Sequence, residues 1–159
     1  MSTAAADTAV RASIVVETAA PHAFEVFTDG IGGWWSPDHH IHGGDIAEMV
    51  FEPRAGGHVL DRAVDGSECA WARVLAYEPP VRFVISWDID LSWQLETDLA
   101  KTSEVEVRFT PQGPDRTLVE LEHRNLDRHG DGWEAMRDAV GSSGGWPSGM
   151  ERFAAHLAG

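Results

Sequence analysis

The clearest pattern in the chain runs from Phe83 to Leu95. Phe83, Ile85, Trp87, Ile89, Leu91, Trp93 and Leu95 are apolar, and only Val84 breaks the polar series Ser86, Asp88, Asp90, Ser92 and Gln94 between them. Successive side chains of a strand point to opposite faces, so the spacing predicts one long strand with a dry and a wet face. Val105, Val107 and Phe109 against Glu104, Glu106 and Arg108 repeat the alternation, as do Val119, Leu121 and His123 against Glu120 and Glu122. Arg11 to Glu17, around Ile14, Val15 and Val16, and Ile46 to Phe51 predict two more strands. His58 to Val64 and Ser67 to Tyr77 predict a hairpin about Asp65-Gly66, a strong turn signal. A turn of only those residues pairs Val64 with Ser67, Asp61 with Ala70 and Leu60 with Trp71. Val59, Asp61, Ala70, Ala72 and Val74 then face inward. Trp71 falls on the outward face with His58, Leu60, Arg62, Cys69 and Arg73.

Elsewhere the period changes to that of a helix. Pro21 opens a short stretch with Ala23, Phe24 and Phe27 at helical spacing, and Gly30, Gly32 and Gly33 end it before Trp34-Trp35. Trp133, Met136 and Val140 suit a second short helix, which Gly141 to Gly145 interrupts. Trp146, Met150, Phe153 and Leu157 then share one stripe of a last helix, with Pro147 near its start. Each strand has a single apolar face, so this last helix must cover it. The reading is an α+β domain over 10–159, about six or seven antiparallel strands against a C-terminal helix. Residues 1–9 read as a disordered, frayed tail; they carry neither the early Lys or Arg nor the apolar run of a signal peptide.

Composition narrows the function classes. Lys plus Arg number 12 and Asp plus Glu 26 in 159 residues, giving a net charge of 12 − 26 = −14. Such a surface opposes sequence-blind nucleic-acid binding and binding to anionic membranes. Cys69 is the only cysteine, which excludes an internal disulfide and a thiolate zinc cluster. No run approaches the roughly 20 apolar residues of a membrane helix. The expectation is a cytoplasmic protein without a cofactor. The oddity is 7 Trp beside 6 Phe and 1 Tyr.

The order of short motifs adds a resemblance. Phe27-Thr28 precedes Trp34-Trp35-Ser36-Pro37; Phe51-Glu52-Pro53-Arg54 precedes Gly56-Gly57. Then come Val74 to Pro80, Phe83 to Trp87, Ser103-Glu104-Val105 and Leu121-Glu122-His123, and Gly145-Trp146 opens the last helix. Together they resemble the helix-grip superfamily of START-related and pollen-allergen-like domains, SRPBCC. Within it the chain is similar to the branch named after the activator of the heat-shock-protein ATPase. The resemblance implies a curved sheet wrapped round a long C-terminal helix, with a cavity between them for an apolar or aromatic small ligand. The Gly141 to Gly145 break departs from it and falls at the expected cavity mouth.

Candidate site residues follow. Trp87, Trp93 and Trp146, with Met150, would line the cavity, and Trp34 and Trp35 would stand at its mouth, since pockets are mostly apolar and aromatic. Asp61 and His123 are polar residues on apolar faces, so each needs a partner or a ligand. As ligand anchors they belong to the binding site; brought together, Asp61 could orient His123 as a base. His39, His40 and His42 with Asp38 and Asp45 match no standard metal spacing, so no metal is assigned. Cys69 has no activating motif. Small-molecule binding ranks first. A cyclase, dehydratase or hydrolase using Asp61 and His123 in the same cavity ranks second. A co-chaperone-like interaction protein ranks last, and a homodimer is left open.

Overall fold

The alternating segments form seven strands: β1 (Val10–Val16), β2 (Ile46–Phe51), β3 (His58–Ala63), β4 (Glu68–Glu78), β5 (Arg82–Trp87), β6 (Ser103–Gly113) and β7 (Arg116–Arg124). The helices are α1 (Ala20–Thr28), α2 (Ile31–Trp34), α3 (Trp133–Gly141) and α4 (Trp146–Ala158). The computed structural model describes residues 7–159, so most of the expected tail, 1–6, lies outside the described residues. All strands join one curled antiparallel sheet in the order β1-β7-β6-β5-β4-β3-β2. Strands β2 to β7 are paired in chain order, and β1 returns beside β7. This is the helix-grip arrangement.

The apolar stripes meet as the periodicity requires. Phe153 of α4 is fully buried and packs on Phe27 of α1 at 4.8 Å between ring centroids. Phe24 and Phe27 reach Phe109 of β6 at 5.1 and 5.7 Å. The opposite sheet face is tied by charges. Arg124 bonds Glu106 at 2.7 Å, Arg82 bonds the same carboxylate at 2.8 Å, and Arg124 and Arg128 hold Glu104. Burial works to raise the Glu106 pKa, but the bonds from Arg124 and Arg82 outweigh it and hold the carboxyl below its usual range.

Two sequence expectations are corrected here. The β3–β4 loop is Val64-Asp65-Gly66, because Ala63 N–H donates to Ser67 O and Gly66 lies at φ 89°. A longer loop with glycine in the left-handed region shifts the register by one residue. Asp61 therefore pairs with Cys69 and Leu60 with Ala70, while Val59 pairs with Ala72. Trp71 is the extra residue of the resulting bulge. A bulge re-aims side chains, and Trp71 is buried at 3% exposure rather than facing outward.

The second correction concerns the long strand. It ends at Trp87; Ile89 and Leu95 form an isolated bridge across a tight turn. Trp93 sits in that turn, 46% exposed, not on an inward strand face. The expected wet face is also partly dry. Ser86 and Asp88 are buried because Arg73 covers them: its N–H donates to Ser86 Oγ, and its guanidinium grips Asp88 at 3.0 and 3.1 Å.

The glycine break between α3 and α4 has a steric cause. A Cβ on Gly145 would lie 2.2 Å from the Val140 carbonyl oxygen, so the chain can fold back into α4 this closely only with glycine. Replacing Phe153 by Ala should cost about 3–5 kcal/mol of unfolding free energy in urea melts. A loss under about 1 kcal/mol would contradict the clamping role of α4.

Candidate functional site

A cavity of about 740 Å³ opens where the α2–β2 loop, the end of β5 and the α3–α4 junction meet. Trp34, Trp35, Trp87, Trp93 and Trp146 all line it, so five of the expected wall residues share one space. Asp61, His123 and Met150 do not reach its surface. Met150 is core, at 2% exposure. The α3–α4 glycines form part of the lining, as do Ser36, His39, His40 and His42 of the loop after α2.

Three of these lining residues close a circuit of four indoles with Trp71. Trp35 meets Trp71 at 5.2 Å between centroids, Trp71 meets Trp87 at 5.6 Å, Trp87 meets Trp146 at 5.7 Å, and Trp146 meets Trp35 at 5.8 Å. Tilted and edge-to-face contacts at this range are favoured by the ring quadrupoles. Three of the four indole N–H groups are used. Trp35 donates to His39 O (2.9 Å), Trp71 to Asp61 Oδ1 (3.3 Å) and Trp146 to His123 Nδ1 (3.0 Å). Trp87 Nε1 is buried without a partner among the described residues.

Asp61 and His123 each have a partner, but not each other. The Asp61 carboxylate, 1% exposed, meets His40 Nδ1 at 2.7 Å through Oδ2. With the Trp71 bond, both oxygens are satisfied, which offsets the cost of burying the group. The bond uses His40 Nδ1, no side-chain hydrogen bond engages Nε2 among the described residues, and His40 lines the cavity. An imidazole held by a carboxylate on one nitrogen presents the other in a fixed tautomer. The geometry can therefore take and return a proton at His40 Nε2. The sequence reading missed His40 because its loop was weighed only as a metal cluster. The available signal was Asp61 itself, an inward carboxylate in need of a donor. His42 is committed elsewhere, at 2.9 Å from Ser67 Oγ. Burial pushes the Cys69 thiol up, and the charge of Asp61 adds to this, so the thiol is a poor nucleophile.

His123 belongs to a different network. Its Nε2 lies 2.7 Å from Ser103 Oγ, which is also 2.7 Å from His129 Nε2. An indole N–H can only donate, so His123 Nδ1 must accept from Trp146. Neutral His123 then donates from Nε2 to Ser103, and Ser103 donates to His129. Burial, with the neighbouring His129 as a smaller cause in the same direction, lowers the His123 pKa from an ordinary 6.5 to about 3. Burial also lowers His129, against the pull of Glu96, Asp90 and Asp88. Trp71 and Trp87 stand between the two polar groups, with Trp87 5.1 Å from the His123 ring. The expected Asp61–His123 acid-base pair is thus replaced by His40–Asp61 on one side of the indole circuit and by a neutral strut behind Trp146 on the other.

Comparison with known proteins agrees with this architecture. The family model for activator of Hsp90 ATPase homolog 1-like proteins matches residues 11–158. An anthrahydroquino-γ-pyrone synthase, Txn09, solved as a complex, is 40% identical, with a TM-score of 0.66 over 93% of this chain and 96% of that one. The fold is shared by the AHSA1 protein of Silicibacter pomeroyi, 22% identical with a TM-score of 0.62 over 94% and 97% of the chains. It is also shared by the self-sacrificing resistance protein CalC of Micromonospora echinospora, 24% identical with a TM-score of 0.62 over 95% and 94%. No protein of curated function matches the chain. Among the described residues no helix is long and apolar enough to cross a membrane.

The buried strut makes stability depend on pH with a definite sign. Unfolded His123 takes up a proton below an ordinary pKa of 6.5, whereas the folded residue resists protonation until about 3. The unfolded state therefore binds more protons in that window. The His123 contribution is intact above it and is lost as pH falls, at up to about 1.4 kcal/mol per pH unit. Urea melts of the wild type should show this slope and His123→Gln should reduce it. An NMR titration that finds the folded imidazole protonated near its ordinary pKa would contradict the assignment.

Proposed function

The chain belongs to the activator of Hsp90 ATPase homolog 1-like family, and from that premise we propose that it is a cyclase-type protein acting on a flat, uncharged aromatic molecule. The observation that carries the proposal is His40, a cavity-lining imidazole held at 2.7 Å by a buried carboxylate. The tryptophan walls suit a planar substrate. No Lys or Arg stands among the described residues lining the cavity, and Asp38 does, so a phosphate, sulfonate or carboxylate handle meets no permanent cation there. The 40%-identical neighbour is a γ-pyrone synthase, and a γ-pyrone is a ring closed through oxygen.

The dyad supports such a closure without a cofactor. A phenol hydroxyl beside His40 gives its proton to Nε2. The phenolate oxygen adds to a ketone carbon of a side chain on the same molecule, forming a C–O bond. The ketone oxygen takes the proton back from His40, giving a cyclic hemiketal. Its hydroxyl then leaves with a proton from the adjacent carbon. The net change is the loss of one water, and nothing is oxidised or reduced. Asp61 keeps the imidazole in the productive tautomer and stabilises the imidazolium that forms. Burial of the dyad's carboxylate behind Trp71 keeps bulk water from competing for it.

Two measurements test this. With a hydroxyanthraquinone carrying a diketone chain beside its hydroxyl, His40→Gln should lower the rate of ring closure by roughly 10²–10⁴-fold. The same variant should still bind a neutral dihydroxyanthraquinone in calorimetry. An unchanged rate in His40→Gln removes the proposed base. Saturable binding with no product even from the wild type would reduce the reading to a binding protein. A sulfonated anthraquinone should bind at least about tenfold more weakly than the neutral one. Equal affinity would contradict the charge argument.

A further inference from the structure

Trp93 is held in a conformation that folding does not explain. Its φ is 59°, in the left-handed region, where a bulky non-glycine residue is a genuine outlier. The turn that imposes this is firmly built. Asp90 Oδ1 accepts from the N–H groups of Ser92 (2.8 Å) and Gln94 (2.9 Å). Trp93 N–H donates to Asp90 O at 3.0 Å, and Asp90 N–H donates to Gln94 O at 2.8 Å. Glycine or asparagine would occupy the position at less cost. Packing offers no return for the tryptophan. It is 46% exposed, and among the described residues it pairs with none of the other aromatic rings. Yet it lines the same cavity as Trp35 and Trp146, from the turn after β5.

We infer that Trp93 is the outer half of an aromatic clamp: the strained 90–94 turn holds its indole as a preformed stacking face for a planar ligand seated against the indole circuit. The inference rests on the aromatic-ligand reading above and adds the residue that sets affinity for flat rings. Strain that persists at a ligand-facing residue is a recurring device, because the surrounding bonds over-determine the backbone. Here those bonds come from Asp90, and the exposed ring is already in place before a ligand arrives. Trp93 touches no proton in the proposed closure, so it acts on binding and selectivity rather than on the chemical step.

Substitutions separate the ring from the strain. Trp93→Phe keeps a ring and the strain, Trp93→Ala keeps only the strain, and Trp93→Gly keeps neither. Calorimetry with a neutral dihydroxyanthraquinone should find Phe within about threefold of wild type, and Ala and Gly weakened about tenfold. Thermal melts without ligand should place the Gly variant at or above wild type and about 2–4 °C above the Ala variant, because glycine relieves the strain. Unchanged affinity in the Ala and Gly variants, with tight binding by wild type, overturns the clamp and leaves the cavity reading standing. A Gly variant that melts several degrees below wild type makes Trp93 a structural residue and also overturns it. No saturable binding by wild type overturns the clamp and the aromatic-ligand reading together.

Discussion

The contact on which the rest depends is the closed circuit of Trp35, Trp71, Trp87 and Trp146. Its members come from the residue after α2, the bulge of β4, the end of β5 and the first residue of α4. No two are neighbours in sequence, so this cluster fixes four elements at once. Each edge-to-face or tilted pair adds about 0.5–1.5 kcal/mol beyond the area buried. The larger consequence is geometric. Three of the indole N–H groups end on His39, Asp61 and His123, so the hydrophobic circuit also positions the polar groups around it.

That coupling explains why a carboxylate can sit at 1% exposure. Asp61 alone would be costly to bury; it is tolerated because Trp71 and His40 each give it a donor. Trp71 reaches it only because the bulge between Val59 and Leu60 turns the indole inward. Without the bulge, the side chain that completes the carboxylate's shell would lie on the other face of the sheet. The strut behind Trp146 works by the same logic with a neutral group. His123 stays uncharged, so it can accept the indole proton and pass the bond on to Ser103. The two polar partners of the circuit thus differ: His123 is a neutral link between Trp146 and Ser103, whereas Asp61 joins Trp71 to His40, which lines the cavity.

Much of this was legible in the sequence, and what was not has physical reasons. Period-two alternation in 103–124 and the Trp146–Phe153 stripe give the sheet and the gripping helix, because burial on one face is a local property of the chain. The wall residues Trp87 and Trp146 come from a strand face and the helix stripe, while Trp34 and Trp35 come from the glycine-flanked segment before the His-rich loop. Trp71 was misplaced because its face depends on whether the hairpin loop includes Val64, and a slip of one residue inverts a strand. Trp93 was misplaced because Asp90 caps a turn with its side chain, which alternation does not reveal. The partnership of His40 with Asp61 spans 21 positions and no secondary-structure period, so only the folded loop brings it together. An inward Asp still announced that some donor had to exist.

The acidity of the chain bears on the chemistry as well as on solubility. On the outer sheet face Glu104 and Glu106 are matched by Arg82, Arg124 and Arg128. The cavity is left with imidazoles and a single carboxylate lining it, inside a protein of net charge −14. Such a field disfavours anions at the mouth. Of the histidines in the wall, His40 is the one held by a buried carboxylate, Asp61 at 2.7 Å. On the cyclase reading proposed above, the charge distribution that disfavours an ionised ligand is also the one in which His40 would take a phenolic proton from a neutral ligand. On the proposed reading, selectivity for uncharged rings and proton transfer at His40 draw on one arrangement, with Asp61 as the nearest carboxylate.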